Sequence, residues 1–241
     1  MKYAIIAAGE GSRLAEEGVR EPKPMVRING ERLIDRLIRV FNDNGAGGIV
    51  VVYRQSMAGV GTHLESLRST AGGAGIEIVA ATTPSSMHSM LAISDRLEDG
   101  PFCLTTVDTV FDEQAFARYV GALKETLAGG GADGVMAVTD YIDDEKPLYV
   151  ATDGDMNITA FLDAADGCRY VSAGIYGLTP GAIGVLRRCV ERGESRMRNF
   201  QRALLSEGMR LKAFNIGRAF DIDHAADIAK AEAFLIHGNN S

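Results

Sequence analysis

Residues 3–14 read YAIIAAGEGSRL, and this stretch decides the fold because a continuous apolar run ends abruptly at a glycine-rich turn. The run from Tyr3 to Ala8 is typical of a parallel strand that is buried on both faces of a sheet. Gly9 and Gly11 permit a sharp turn after it, since glycine adopts positive φ angles without a steric penalty. The stretch therefore predicts a central strand followed by a loop with exposed backbone amides.

The chain after this strand alternates between helical and strand patterns. Apolar residues recur at helical spacing from Leu33 to Phe41, and Asn44–Gly45 predicts the end of that helix. Asp112 is expected to cap a later helix. The other strands predicted in this part are 48–53, 76–80, 102–107 and 134–139, and the helices are 61–69, 87–97 and 112–127. This alternation predicts a three-layer α/β fold, in which a mostly parallel, Rossmann-like mixed sheet has helices on both faces.

The pattern changes after Thr139. Short alternating segments at 148–152, 158–162 and 170–178 predict short antiparallel strands beside the main sheet. Thr179 and Pro180 are expected to start a helix, and the segments predicted after it are a helix at 197–207, a strand at 211–216 and a helix at 225–236. No internal repeat and no linker poor in apolar residues divides the chain. We therefore predict a single domain over residues 1–241, with halves at 1–138 and 139–241.

Composition excludes several classes of protein. The chain has 241 residues, 46% of them hydrophobic, and a formal net charge of −7, which disfavours general binding to nucleic acid or to anionic membranes. Its three cysteines are far apart and form no CxxC pair, so buried reduced thiols are expected. The first apolar run stops at Glu10, too early for a signal-peptide core or a membrane span, and predicts a cytoplasmic protein.

The glycine loop has the features of a phosphate-binding site. An anion can approach its backbone amides closely because no side chains stand in the way. Arg13 adds a bidentate guanidinium that suits phosphate oxygens, and Lys23 adds a mobile point charge. Pro22 and Pro24 stiffen the backbone around Lys23, so its ammonium can be aimed with little loss of entropy on binding. An anionic ligand would thus meet a local positive site on an acidic chain.

Two familiar glycine loops are absent. The dinucleotide fingerprint needs a third glycine at position 14, where this chain has Leu14, and this counts against an NAD-dependent dehydrogenase. The P-loop needs a G-K-[ST] step, which does not occur in the sequence. The pair of glycines must therefore be interpreted together with Arg13 and the proline-flanked lysine.

AAGEGSRL at 7–14, PKPM at 22–25 and ING at 28–30 together closely resemble the signature of the sugar-phosphate nucleotidyltransferase superfamily. The resemblance implies a Mg²⁺-dependent enzyme that transfers NMP from an NTP to a sugar 1-phosphate or another phosphorylated alcohol and releases pyrophosphate. It also implies a nucleotide-binding first half, and a second half that holds the acceptor and part of the metal site. The residues that it places on the nucleotide phosphates are Ala8, Gly9, Gly11, Ser12, Arg13 and Lys23.

Aspartates supply the metal ligands that this resemblance implies. Asp108 follows an apolar strand, at the end of an open α/β sheet where ligands collect, and it matches the family's metal-binding aspartate. Asp221 and Asp223 lie two residues apart, so they share a face on an extended segment. Either or both can be the second ligand, and helix capping by Asp223 is the alternative. The implied catalytic residues are Arg13, Lys23 and Asp108.

The choice of substrates is less constrained. Ser86, His88 and Ser89 are candidates for contacts with the base or ribose of CTP, UTP or dTTP, although an ordinary first helical turn would also explain them. A weak likeness of this segment to choline-type cytidylyltransferases favours CTP. Lys146, Gly174 and Tyr176 are the candidate acceptor residues. The absence of Trp counts against a quaternary-ammonium cage and favours a sugar or polyol phosphate.

Two alternatives stay open at this stage. The chain can be a cytidylyltransferase of the phosphocholine or polyol-phosphate type, or a regulatory homologue that binds a nucleotide without turnover. The candidate lysine, arginine and aspartates are all retained, which argues against decay of the site. A homo-oligomer is compatible with the sequence, which contains no direct sign of its oligomeric state.

Overall fold

A nine-stranded mixed sheet forms the centre of the molecule in a computed structural model that describes residues 1–70 and 75–238. Seven strands follow the spatial order β10-β9-β11-β6-β1-β4-β5, with β8 paired to β11 and β12 paired to β8. The bounds of the nine strands are β1 Lys2–Ala7, β4 Gly48–Tyr53, β5 Ile76–Ala80, β6 Phe102–Thr106, β8 Gly134–Thr139, β9 Tyr149–Thr152, β10 Ile158–Leu162, β11 Tyr170–Leu178 and β12 Leu211–Asn215.

Two small antiparallel sheets lie outside the main one. The first pairs β2 (Arg27–Ile28) with β3 (Glu31–Arg32). The second pairs β7 (Thr109–Phe111) with β13 (Ala219–Asp221), so a segment near the end of the chain returns to the end of β6. Single-turn 3₁₀ helices occur at Lys23–Met25 and Ser94–Arg96.

Eight α-helices are present in the described part of the chain. Their bounds are α1 Ser12–Glu16, α2 Leu33–Asp43, α3 Ala58–Thr70, α4 Ser86–Ile93, α5 Glu113–Ala128, α6 Gly181–Glu191, α7 Met197–Ser206 and α8 Ala225–Gly238. None of the described helices is long and apolar enough to cross a membrane. The side chain of Asp112 caps α5 as predicted, since it accepts a hydrogen bond from the Ala115 amide at 2.7 Å.

Strand β1 lies in the middle of the sheet, parallel to both β4 and β6. Its alternate side chains enter two separate cores, one on each face: Tyr3 and Ile5 pack into the first, Ala4 and Ile6 into the second. All of these residues are at most 5% exposed. The structure thus confirms the predicted α/β fold with a doubly covered central strand.

Three local predictions were wrong. The segments at 149–152, 158–162 and 170–178 join the main sheet, because the nine-residue β11 is long enough to pair with β6, β8 and β9. Helix α6 begins after Pro180, which makes no side-chain cap, and not after a capping Thr179. Residues 12–16 form the short helix α1, although the sequence analysis described that region only as a loop.

Candidate active site

The carboxyl ends of four parallel strands, β1, β4, β5 and β6, meet at one edge of the sheet because these strands run in the same direction. The glycine loop follows β1 at this edge, and Asp108 follows β6. Arg54, which follows β4, forms an ion pair with Glu10 of the loop at 2.5 Å. The topology therefore brings the glycine loop and Asp108, which the sequence predicts for one nucleotide site, to the same edge of the sheet.

Gly11 is the residue of the glycine loop with the strictest backbone requirement. It has a φ of +65° and precedes α1 directly. A Cβ atom added there would lie 3.4 Å from Cβ of Lys23, so the loop and the proline-flanked segment are in close contact. A Cβ at Gly9 would meet nothing within 4 Å. Gly9 thus has the open approach expected of a phosphate-binding turn, whereas Gly11 has a conformational role.

The pairing of β7 with β13 places the second set of carboxylates beside the first. In this register Asp221 lies opposite Thr109, and its carboxylate accepts a hydrogen bond from the Thr109 hydroxyl at 2.8 Å. The Ile222 amide donates to the backbone carbonyl of Asp108 at 3.1 Å. Residues more than 100 positions apart in sequence are therefore held together by backbone hydrogen bonds.

Lys23 lies at the centre of this arrangement. Its ammonium nitrogen is 2.7 Å from Oδ2 of Asp108 and 2.8 Å from Oδ1 of Asp223, and its side chain is only 10% exposed. Arg13 adds a second cation, with Nη1 lying 3.1 Å from Oδ2 of Asp223. The structure thus brings together four of the predicted catalytic and metal-site residues around one buried ammonium.

The protonation states follow from this geometry. Burial lowers the pKa of Lys23, but the Asp108 and Asp223 carboxylates outweigh it and the net pKa is raised, so Lys23 is charged at neutral pH. Burial disfavours ionisation of Asp223, yet Lys23 and Arg13 overcome it and lower the pKa of this carboxyl. Lys23 and Asp223 are therefore both charged and stabilise each other before a ligand binds.

Asp221 has the opposite shift. Burial and then repulsion from Asp108 raise the pKa of its carboxyl. Part of the residue is exposed to solvent, so repulsion between the carboxylates is the cause that we consider decisive. Three neighbouring carboxylates thus share the positive charge of Lys23 and Arg13.

The chemistry of these aspartates fits Mg²⁺. In the described ranges no three acidic, histidine or cysteine side chains converge into a complete metal cage. Mg²⁺ does not need one, because it binds to proteins through one or two carboxylates and completes its shell with water and substrate phosphates. Asp108 and Asp223 already share one cation, and the raised pKa of Asp221 shows that negative charge there is incompletely balanced.

The three predicted base- or ribose-contacting residues lie in the first turn of α4. Ser86 is exposed, whereas Ser89 is 2% exposed and lies 2.6 Å from the Thr83 hydroxyl. The ring of His88 contacts Ser85, with its Nδ1 at 2.9 Å from the Ser85 hydroxyl. His88 and Ser89 therefore have local partners that a nucleotide would have to share or replace.

A cavity of about 360 Å³ lies beside the carboxylates. Of the three predicted acceptor residues, Lys146 lines it, whereas Gly174 and Tyr176 do not. Gly174 has a φ of +72°, and a Cβ there would lie 3.3 Å from the Thr109 hydroxyl that binds Asp221. Tyr176 is 6% exposed, in the core, and its hydroxyl accepts a hydrogen bond from Gln201 at 3.4 Å.

Several residues of the site were not found from the sequence. Glu17 accepts hydrogen bonds from His224 Nδ1 at 2.7 Å and from the Ala225 amide at 2.6 Å, which ties the region after α1 to the start of α8. Asp227 accepts from the Asp223 and His224 amides. The E-E pair at 16–17 has no recognisable motif, so only the tertiary contact identifies Glu17.

An aromatic cluster that the sequence did not reveal borders the cavity. Tyr141 and Phe220 line the cavity, and Phe220 packs edge-on against Phe234, with ring centroids 5.8 Å apart. The chain's own cations already cover these rings: the Lys230 ammonium is 4.5 Å from the Phe220 centroid, and Arg218 is 4.3 Å from that of Tyr141. Three distant segments supply the rings, which explains why no local pattern announced them.

Comparison with known proteins identifies the relatives of this chain. Residues 3–173 match the sequence family described as the MobA-like NTP transferase domain. The chain is 25% identical to glucose-1-phosphate cytidylyltransferase of Salmonella typhi over 220 residues, which cover 86% of this chain and 71% of that protein. It is 29% identical over 166 residues to CMP-5'-(3-aminopropyl)phosphonate synthase of Streptomyces rubellomurinus, covering 61% of this chain. The matched region spans only 25% of that second relative.

Solved structures share the fold over almost the whole chain. The inositol-1-phosphate CTP transferase of T. maritima superposes with a TM-score of 0.77 at 20% identity, covering 97% of both chains. A putative glucose-1-phosphate thymidylyltransferase from Bacillus anthracis superposes with a TM-score of 0.81 at 17% identity, covering 97% of this chain and 94% of the other. At these identities the likeness establishes the architecture alone.

Proposed function

Because this chain belongs to the MobA-like NTP transferase domain family, a family of nucleotidyltransferases, we propose that it transfers NMP from an NTP to the phosphate of a small phosphorylated sugar or polyol. The observation that supports this most directly is the Lys23 ammonium, which lies between Asp108 and Asp223 next to the glycine loop. Such an arrangement concentrates charge at the edge of the sheet where ligands of open α/β folds bind.

The proposed reaction needs no general base. An ionised phosphate oxygen of the acceptor attacks the α-phosphorus, a new oxygen–phosphorus bond forms, and the bond to the β-phosphate oxygen breaks to release pyrophosphate. The main obstacle is repulsion between anions, so alignment and positive charge are the expected sources of catalysis. Arg13 and Lys23 provide that charge, and the open amides around Gly9 bind the triphosphate without side-chain interference.

We propose Mg²⁺ as the cofactor, held by Asp108 together with Asp223 or Asp221. When bound, the ion would supply positive charge that offsets the negative charge of the phosphates. Lys23 offsets the repulsion between Asp108 and Asp223 by donating to both. We therefore expect Lys23 to exchange part of its contact with these carboxylates for a contact with the α-phosphate when substrates bind.

CTP is the nucleotide that we place first. The two named relatives above are a cytidylyltransferase and a synthase of a CMP conjugate. Ser86, His88 and Ser89 belong to the first turn of α4, which follows the carboxyl end of β5; a base could reach the exposed Ser86 directly, whereas Ser89 is buried against Thr83. For the acceptor, Lys146 is the cationic group of the neighbouring cavity that has no ion-pair partner among the described residues.

The proposal is tested by pyrophosphate release. CTP, UTP, dTTP, ATP and GTP are each assayed with Mg²⁺ and a panel of sugar 1-phosphates, polyol phosphates and alkyl phosphonates. Lys23→Ala is expected to reduce kcat/KM by at least about 100-fold, the scale seen when one charge-stabilising donor is removed from a site. Lys124→Ala, on the exposed surface of α5, is the matched control. Full activity in Lys23→Ala, or no pyrophosphate from any pair, would reject the proposal.

A further inference from the structure

A second cavity of about 690 Å³ lies apart from the candidate catalytic aspartates, and we propose that it binds a phosphate group of a small molecule. It opens at the start of α7 and shares only Glu145 and Lys146 with the acceptor cavity. Four basic side chains and two acidic ones line it: Lys146, Arg196, Arg198, Arg202, Glu145 and Asp163. This positive excess stands out on a chain whose net charge is −7.

The arginines retain donors for a ligand. One oxygen of Asp163 accepts from Arg198 at 2.7 Å and from Arg202 at 2.8 Å, so a single carboxylate faces two guanidinium groups. Arg198 also donates to the Lys146 carbonyl, and Arg202 to the Phe161 carbonyl. A guanidinium has five N–H groups, and these contacts use two in each residue.

Arg196 is the arginine of this cavity with the most free N–H groups. Its guanidinium is exposed and forms no hydrogen bond or ion pair within the part of the chain that the structure describes. Arg196 provides no side-chain cap for α7, and its carbonyl accepts from the Asn199 amide at 2.9 Å, so within the described residues the Met197 and Arg198 amides are the ones that stay available. Guanidinium forks together with free helical amides are suited to tetrahedral phosphate oxygens.

The ligand class follows from the size and charge of the cavity. The basic side chains of this cavity are confined to one pocket, and the chain as a whole is strongly acidic. This disfavours binding of a nucleic acid, whose extended backbone needs a broad basic surface. Each guanidinium can donate two hydrogen bonds to one phosphate group. A carboxylate ligand has fewer oxygens and would accept from fewer of the free N–H groups. A phosphate ester of small-molecule size is therefore the ligand that the cavity fits best.

The position of the site predicts a link to the acceptor cavity, and this part of the inference rests on the proposed function. Arg198 donates to the Lys146 carbonyl at 2.9 Å, and the Lys146 residue lines both cavities. A phosphate that binds to Arg198 would weaken the hydrogen bond from Arg198 to the Lys146 carbonyl. It would thereby change how the Lys146 side chain contacts the acceptor. The phosphate can belong to the far end of the acceptor itself or to a separate molecule.

Binding is tested without turnover by titrating inorganic phosphate and following backbone amide NMR shifts. The chemical shifts of the 197–199 amides are expected to follow a saturation curve that differs from the curve of the glycine-loop amides. Arg196→Gln should weaken phosphate binding at 197–199 by about tenfold and leave the glycine loop unchanged. Arg118→Gln removes an exposed arginine on α5 and should change neither curve. Unresponsive 197–199 amides, or equal responses in Arg196→Gln and the wild type, would overturn the site.

Kinetics then distinguish the two sources of the phosphate. If it belongs to the acceptor, a bisphosphorylated polyol should have a lower KM than its monophosphate, free phosphate should compete with it, and Arg196→Gln should abolish the difference. If it belongs to a separate molecule, free phosphate should shift the KM of a monophosphate acceptor without competing. A chain with no transferase activity would defeat the proposed function, yet the NMR result would still decide whether the site exists.

Discussion

Lys23 and its three neighbouring aspartates show how an acidic chain can concentrate positive charge at one edge of its sheet. Lys23 is paired with Asp108 and Asp223, and Arg13 is paired with Asp223, so both cations of this group are held by carboxylates. These pairs hold the cations in position before a ligand arrives. Preorganised charge of this kind is effective because little reorganisation is needed when the reaction occurs.

Gly11→Ala tests the conformation of the loop at the scale of one residue. Alanine at a φ of +65° should cost about 1–2 kcal/mol of folding free energy. The added Cβ would lie in van der Waals contact with Lys23, so any relaxation of the strained loop would displace Lys23, and kcat/KM for the NTP should fall by more than the stability loss alone would cause.

The matched control is Gly208→Ala, since Gly208 has a φ of +89° and a Cβ added there would meet nothing within 4 Å. It should lose similar stability in a urea titration but keep its kcat/KM. Equal kinetic effects of the two substitutions would contradict a specific role for the Gly11–Lys23 contact.

At the scale of elements, hydrogen bonds and an ion pair between the region of α1 and the start of α8 hold the glycine loop against residues 221–225. Glu17 accepts from both His224 and the Ala225 amide, while Arg13, one turn earlier, pairs with Asp223. Residues 221–225 and the loop after β1 should therefore move as one unit. Glu17 would act by positioning this unit, without contacting the substrates.

Glu17→Gln should raise the KM for the NTP more than it lowers kcat, because it loosens the loop without removing a cation. Glu16→Gln makes the same change of charge in α1 at an exposed residue and is the control. If the KM for the NTP is unchanged in both Glu17→Gln and Glu16→Gln, the contact of Glu17 with the start of α8 has no part in nucleotide binding.

The same pair predicts a pH dependence of stability. The side-chain hydrogen bond with His224 lowers the pKa of Glu17, so its contribution is present above its unfolded value of about 4.3 and is lost as the pH falls. The hydrogen bond with Glu17 raises the pKa of His224, so that contribution is present below about 6.5 and is lost as the pH rises through the folded pKa. The difference in thermal midpoint between wild type and Glu17→Gln should thus be largest at about pH 5–6. A difference that does not vary with pH would contradict this pairing in solution.

At the scale of the whole molecule, β11 joins the two predicted halves of the chain. It is antiparallel to β6 of the first half, to β8, which spans the proposed boundary at residue 138, and to β9 of the second half. Helix α5 packs on it so closely that a Cβ at Gly177 would clash with the Leu123 side chain. A single cooperative domain over residues 1–241 remains a prediction, and this contact offers a test of it.

Gly177→Ala should destabilise the protein by about 1–3 kcal/mol through overpacking. If the halves fold together, hydrogen-exchange protection in β4 and in β12 should fall by the same free energy. Gly100→Ala, with nothing within 4 Å of the added Cβ, is the control and should change neither. Loss of protection in only one of the two strands would show that the halves unfold separately.

Local sequence patterns were sufficient to predict most helices and strands, but not how these elements pair and pack. The alternation of apolar runs predicted the central strand β1, the α/β fold and the Asp112 cap, because each depends on neighbours within a few residues. The position of β11 inside the main sheet was missed, because strand length and alternation do not specify the partner of a strand.

The residues of the candidate site also fall into those that local sequence patterns predict and those that only tertiary contacts identify. Gly11, Lys23 and Asp108 could be named in advance because the glycine turn, the flanking prolines and the strand end mark them locally. Glu17 and Thr109 could not, because each acts through a partner that is more than 100 residues away in the sequence.

By itself, the sequence determined that this chain is an α/β protein with a glycine-rich turn after its first strand, because those features depend on short-range backbone preference and apolar spacing. Only the tertiary structure decided that Lys23 would lie between Asp108 and Asp223 and that arginines would gather at the start of α7. The physical reason is that charges act through space. Their neighbours are chosen by strand pairing and packing, which no local pattern of residues specifies.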